Sequence, residues 1–182
     1  MIILLFLALF TSTSYGQVGN TCPVAGSGKH PHPDSAKNRS VVPVKYDPID
    51  FDYMASLPIS NQLKWDSAVS LTGYVLKVED GGKESCNCGS AIYKDTHIYI
   101  VKQLGDLPVQ AIIVEATPRF RLLIGTTADL KKLTGKHVVI RGYLFMDSEH
   151  KANSRADNGK GLLWRSTCEE IHPLTEKIEV LP

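Results

Sequence analysis

Residues 110–146 read QAIIVEATPRFRLLIGTTADLKKLTGKHVVIRGYLFM, and the fold is read outward from them. Gln110 to Thr117 is a β-branched run stopped by Pro118, which has no amide hydrogen to continue a ladder. Thr126 to Leu133 reads as a short helix. Thr126 can cap it, Asp129 stands three residues on, Leu130 and Leu133 face inward, and Gly135 ends it. His137 to Met146 is again a strand, with Gly142 near its centre.

Toward the N-terminus, Thr96 to Lys102 alternates, with Ile98 and Ile100 on one face. Ahead of it Val69, Leu71, Val75 and Val78 form a long run broken by Gly73, a place for a bulge or a sharp bend. Toward the C-terminus a fifth strand starts near Cys168 and runs to about His172, and Ile178 to Leu181 offers an extension. Three strands, a helix and two strands is the order of an OB-fold, a small five-stranded Greek-key barrel. Gly73 and Gly142 stand where such a barrel must curve tightly. An immunoglobulin-like sandwich would want about seven strands and no helix in the middle.

The chain has 182 residues, 20 Lys+Arg against 19 Asp+Glu and 43% hydrophobic residues, which fits one domain with an appended tail. Near-neutral charge excludes a coat protein driven onto nucleic acid by electrostatics alone. Charged content of 21% and a mean hydropathy near zero exclude a wholly disordered chain and a polytopic membrane protein. Ile2 to Phe10 is an apolar run followed by Ser14-Tyr15-Gly16, the pattern of a secretory signal peptide cleaved near Gly16. The run is about half of the roughly 20 residues a bilayer span needs, so no stable membrane insertion is expected and the mature chain is read as secreted or periplasmic. Residues 1–16 are then the signal, 17–64 a Pro-rich irregular arm, mobile or loosely docked, and 65–182 the barrel. Within the arm, Lys29-His30-Pro31-His32-Pro33 reads as a solvated Pro-rich linker rather than as a short His tract that binds metal, and Asn38-Arg39-Ser40 is a formal glycosylation sequon.

Export makes Cys22, Cys86, Cys88 and Cys168 candidates for two disulfides. A bridge between Cys86 and Cys88 would be strained, so links from this pair to Cys22 and Cys168 are expected. A thiolate metal site is the alternative, although CxC lacks the usual CxxC spacing.

In an OB-fold the ligand face is the outer surface of strands two and three, rimmed by the loops joining strands one and two and strands four and five. Both loops are long and polar here, Asp80 to about Lys94 and Asp147 to Ser166. With Ile98 and Ile100 inside, Asp95, His97 and Tyr99 point out. With Ile112, Val114 and Ala116 inside, Glu115 and Thr117 point out, so His97 and Glu115 become cross-strand neighbours. Cys168, Glu170 and His172 share one side of strand five. Asp147 and Glu149 share a side at the end of strand four, with His150 following, and Arg119, Arg121 and Arg165 lie close in sequence. Imidazole and carboxylate together can hold a divalent metal ion, and arginine clamps phosphate. No HExxH, GxSxG or Walker spacing names a mechanism. Tyr93, Tyr99 and Trp164 lie near this face and could stack on bases or sugars, whereas Tyr143 and Phe120 read as packing residues and Trp65 as an anchor for the arm.

Four stretches resemble a family of uncharacterised exported bacterial proteins: Asp95–Ile98, Val114–Arg121, Gly142–His150 and Arg165–Pro173. The Asp-x-Glu-His segment at Asp147–His150 and the ending Glu170-Ile171-His172-Pro173 are the most specific. Family members often place Trp where this chain has Thr96 and Glu169. The resemblance implies an OB-like barrel with a shared polar site and supplies no activity.

Three functional readings follow. In the first, the barrel groove binds a polar or anionic ligand, an oligonucleotide or an oligosaccharide, through Asp95, His97, Tyr99, Glu115, Arg121, Glu170 and His172. In the second, the same face is a metal-dependent phosphodiester hydrolase. There His97, His150 and His172 with Glu115 or Glu170 would hold the ion, Asp147 or Glu149 would act as general base, and Arg119 or Arg165 would stabilise negative charge. In the third, the polar cluster is structural glue.

Overall fold

The computed structural model describes residues 22–57, 66–154 and 162–182. The expected signal segment of residues 1–16, Trp65 and part of the long loop lie outside the described residues. The strands are β1 (Asp47–Ile49), β2 (Ala68–Asp80), β3 (Thr96–Val101), β4 (Ile112–Ala116), β5 (His137–Met146), β6 (Glu169–Leu174) and β7 (Glu179–Val180). The short helices are α1 (Pro31–Lys37), α2 (Phe51–Ser56), α3 (Arg121–Ile124) and α4 (Thr127–Lys131). No described helix is long and apolar enough to cross a membrane.

β2 pairs with β3, β3 with β4, β4 with β6, β6 with β5, and β5 returns to β2, which closes the expected five-stranded barrel. Only the β4–β6 closure is parallel among these five pairings, through Val114 opposite Ile171. β1 adds in parallel to β2, and β7 adds antiparallel to β5.

Closure depends on β2 serving two partners. Its first half, Ala68 to Tyr74, pairs with β5, and its second half, from Tyr74, pairs with β3. Gly73 sits at the changeover, where a Cβ would stand 2.7 Å from Ile100 Cγ2. At Gly142 a Cβ would meet Pro173 O and stand 2.6 Å from Ile171 Cγ2. Both glycines thus let a neighbouring strand approach where the barrel curves. Inside lie Val69, Leu71, Val75, Ile98, Ile100, Ile112, Val114, Ile140, Leu144 and Ile171, as the alternation requires. α4 is capped as its sequence requires: the Thr126 hydroxyl accepts from the Asp129 amide at 3.2 Å and the Asp129 carboxylate accepts from the Thr126 amide at 3.2 Å. Its buried Leu130 packs into the barrel core.

The N-terminal arm is more ordered than its sequence suggests. Pro31 opens α1 at a position where its missing amide hydrogen costs nothing. Met54 of α2 is fully buried in the barrel core. Asp34 and Asn38 are buried and tie the arm to the first rim loop, Asp34 accepting from Ser85 Oγ at 2.8 Å and Asn38 donating to Cys86 O. The sequon is therefore spent: the Asn38 amide also accepts from Arg119 Nε at 3.0 Å. Polar anchors, a covalent staple and scattered apolar contacts such as Met54 hold this arm, so no sustained hydrophobic period marks it.

The staple is a Cys22–Cys88 disulfide. The second expected bridge is absent, because Cys86 and Cys168 are both free and buried. Cys86 turns into the polar cluster described below, with its thiol 3.7 Å from Asp95 Oδ2.

Candidate imidazole–carboxylate centre

β3, β4 and β6 lie side by side, and their outward residues form the centre. His97 of β3 stands opposite Glu115 of β4 in register, with Nε2 3.2 Å from Oε1. His172 of β6 joins from the parallel neighbour, with Nδ1 3.1 Å from Glu115 Oε2 and 3.1 Å from Glu170 Oε1. Asp95, just before β3, places Oδ2 3.7 Å from His172 Nε2. Asp95, Glu115, Glu170 and His172 are all buried.

Behind His172 runs a chain of fixed partners. Glu170 holds Nδ1 of His172, and Arg165 holds Glu170 at 2.8 Å. Arg165 is itself fixed by the Thr167 carbonyl at 2.7 Å and lies 3.7 Å from Asp147. With Nδ1–H donated to Glu170, Nε2 faces Asp95 and offers a lone pair there once its own proton is displaced. This carboxylate–imidazole order is the one that orients a metal-binding histidine.

Two residues not singled out from the sequence complete the centre. Glu84, in the first rim loop, points Oε1 at His97 Nε2 (3.9 Å) and Oε2 at Lys37 Nζ (3.0 Å). Lys37, at the end of α1, is half-buried near Glu84, Glu115, Glu170 and Asp147 and lies over the Phe145 ring. Glu84 follows a Gly-Gly turn in a loop already expected to rim the site. Lys37 had no signal, since nothing local in the arm shows that it docks.

Among the described residues, three overlapping sets bring ligand atoms within 4.8 Å of one another: Glu84 with Cys86 and Asp95, Glu84 with His97 and Glu115, and Asp95 with Glu115 and His172. Asp95 Oδ1, Glu115 Oε2, His97 Nε2 and His172 Nε2 are buried without an aligned hydrogen bond. The ion-pair distances around them are short, but the geometry is not that of a hydrogen bond. Buried polar atoms left in this way are costly unless something else satisfies them.

The centre's charges shift one another. Burial alone lowers the His97 and His172 imidazoles, but Glu115 first, with Glu84 at His97 and Glu170 at His172, outweighs it and holds them up at about 9 and about 10. Burial raises Asp95 to about 6 against the pull of His172. It also raises Glu170, but Arg165 and His172 bring that carboxyl down to about 2. Burial, then Asp95 and Glu84, pushes the Cys86 thiol far up, so it donates rather than ligates as thiolate.

Other expected residues are placed elsewhere. His150 is not in any of these sets. Its Nε2 is 3.7 Å from Asp147 and its ring lies edge-on to Trp164, at the groove rim. Arg119 is spent on Asn38 and on the Cys22 carbonyl at 2.7 Å. Arg121 is spent on Thr96 at 2.8 Å and on the Lys94 carbonyl at 2.7 Å. Neither arginine faces the centre, because Pro118–Phe120 and α3 turn the chain away as β4 ends. Tyr99 does point outward, yet it is buried, donating its hydroxyl to Glu79 at 2.6 Å with Lys77 over its ring and Trp164 beside it. It is no open stacking platform. Phe120 is core, and Tyr143 carries the Arg39 guanidinium at 4.2 Å.

Two grooves open beside the centre. One, about 700 Å³, runs between α1 and the end of β5 and is lined by Lys29, His32, Lys37, Lys83, Glu84 and Asp147. The other, about 540 Å³, is lined by Lys77, Glu84, His97, Glu149, His150 and Trp164. Glu149 is exposed at their common edge. No protein-family model matches the chain, and no curated protein is significantly similar to it.

Proposed function

We propose that this chain is an exported OB-like module that binds an anionic ligand over the outer barrel face, through a divalent cation held by Asp95, Glu115 and His172. One observation carries the reading. His172 is locked by Glu170 at Nδ1, Asp95, Glu115 and His172 bring one ligand atom each within 4.8 Å of one another, and each of the three has a buried side-chain atom without an aligned hydrogen bond. Oxygen and imidazole donors of this kind suit Zn²⁺ or Mn²⁺. Such an ion draws anionic ligand oxygens to itself and polarises them. Lysines on the groove walls, Lys29, Lys83 and Lys77, favour a phosphate-bearing ligand such as an oligonucleotide. The disulfide supports maturation in an oxidising compartment, as the apolar run of residues 2–10 also suggests.

Hydrolysis of a phosphodiester at the same place is the second reading, favoured by Asp147. Burial, reinforced by Glu170, raises its carboxyl to about 6 on the wall of both grooves, which suits proton transfer near neutral pH. Glu149 lies beside it.

The test is elemental analysis of the purified protein, followed by binding of a fluorescent single-stranded oligonucleotide with and without a chelator. Stoichiometric metal that is lost in His172→Ala, with oligonucleotide binding lost on chelation, is the expected result. A chain that takes up no metal when Zn²⁺ or Mn²⁺ is supplied sinks the reading and leaves the cluster as glue.

A further inference from the structure

We infer that the centre holds two divalent cations, with the Glu115 carboxylate bridging them. This rests on the single-ion reading above and goes beyond it.

Glu115 divides its oxygens between two imidazoles. Oε1 is 3.2 Å from His97 Nε2, and Oε2 is 3.1 Å from the His172 ring at Nδ1. The set Glu84–His97–Glu115 and the set Asp95–Glu115–His172 share that one residue and nothing else. Glu115 thus belongs to both ligand sets, and a carboxylate shared between two neighbouring positions is how paired ions about 3.5–4 Å apart are held in two-metal sites.

Each position also has its own outer support. At the His172 position, Glu170 orients the imidazole. At the His97 position, Lys37 takes Glu84 Oε2 at 3.0 Å and leaves Oε1 facing His97. The two supports come from different elements, β6 and α1, so neither position borrows the other's.

Space and charge agree. Gly81 lies against His97, where a Cβ would stand 2.9 Å from Nε2, so glycine leaves that side of the nitrogen open. Glu84, Asp95, Glu115, Glu170 and Asp147 set five carboxylates against Lys37 and Arg165. Ions that displace the two imidazole protons leave an excess of negative charge that one divalent ion does not cancel. The more exposed His97–Glu84 position borders the groove lined by His97, and the His172–Asp95 position lies beneath it. A phosphate oxygen entering from that groove meets the outer ion first.

The test is the number and coupling of Mn²⁺ ions bound by the full chain after chelator treatment, read by calorimetry, elemental analysis and electron paramagnetic resonance. Wild type is expected to bind two ions with an exchange-coupled spectrum. Glu84→Gln, at a partly exposed position where folding is least at risk, is expected to weaken one ion about ten-fold or more and to leave the other. His97→Ala is expected to keep one uncoupled ion, and near-UV circular dichroism checks that each variant is folded. One ion in wild type overturns the pair while the single-ion reading stands. No ion in wild type overturns both. Two coupled ions that persist with unchanged affinity in folded Glu84→Gln and His97→Ala would place the pair elsewhere and refute this assignment.

Discussion

Arg165 and Glu170 form a 2.8 Å ion pair in which neither side chain has any exposure to solvent. The pair sits behind His172 and closes the chain of contacts that fixes the imidazole. Removing one partner leaves the other charge buried without compensation. Arg165→Met is therefore expected to cost about 3–5 kcal/mol of stability. Adding Glu170→Gln to that variant is expected to recover part of the loss. Urea unfolding of the two proteins checks this, and a single variant within about 0.5 kcal/mol of wild type contradicts it.

Asp147 sets a pH dependence. Burial first, then Glu170, raises its carboxyl to about 6 in the folded protein, against about 3.9 in an unfolded chain. The folded state therefore holds this proton more tightly. The stabilisation is complete below about pH 4 and is lost as pH rises through about 6. Asp147→Asn cannot ionise and lacks that loss. Relative to wild type, it is expected to gain roughly 1–3 kcal/mol between pH 4 and pH 7. Parallel stability–pH curves for the two proteins would show that Asp147 contributes no such slope.

The Cys22–Cys88 bridge closes a sequence separation of 66 residues and ties the start of the arm to the first rim loop. Losing it is expected to lower stability by roughly 2–4 kcal/mol. A thiol titration of the native protein is expected to find neither Cys86 nor Cys168 reactive, and unfolding without reductant should expose both. Two rapidly reacting thiols in the native state would contradict that burial.

Gly142 is expected to tolerate no side chain. In Gly142→Ala the new methyl meets the Pro173 carbonyl and crowds Ile171 at 2.6 Å, at the β5–β6 seam. Overpacking of this kind costs about 1–3 kcal/mol. A melting temperature unchanged by the substitution would mean that the seam relaxes freely.

The barrel was legible because period-two alternation is a local property. Once Ile98 and Ile100 are inside, His97 must be outside, and pairing with β4 brings Glu115 to it. His172 was legible for the same reason. Lys37 was not, because its docking depends on a distant disulfide and on Asn38 reaching Cys86 O, neither of which leaves a periodic trace. Arg119 and Arg121 stand near Glu115 in sequence, yet the turn at Pro118 sends them to other partners. Alternation puts Tyr99 on the outer face, but it does not say that Trp164 arrives from the long loop to cover it. Likewise, counting cysteines could not show that Cys86 turns toward Asp95 instead of a second sulfur.

The spent amide of Asn38 bears on how the protein can be produced. Oligosaccharide transfer acts on nascent chains, before α1 has docked. In a host that performs it, a sugar tree on Asn38 would stand where Val24 O, Cys86 O and Arg119 converge, and the arm could no longer seat. Lys37 would then be carried away from Glu84. Material from such a host should be made with Ser40→Ala, which removes the acceptor triplet and leaves Asn38 in place.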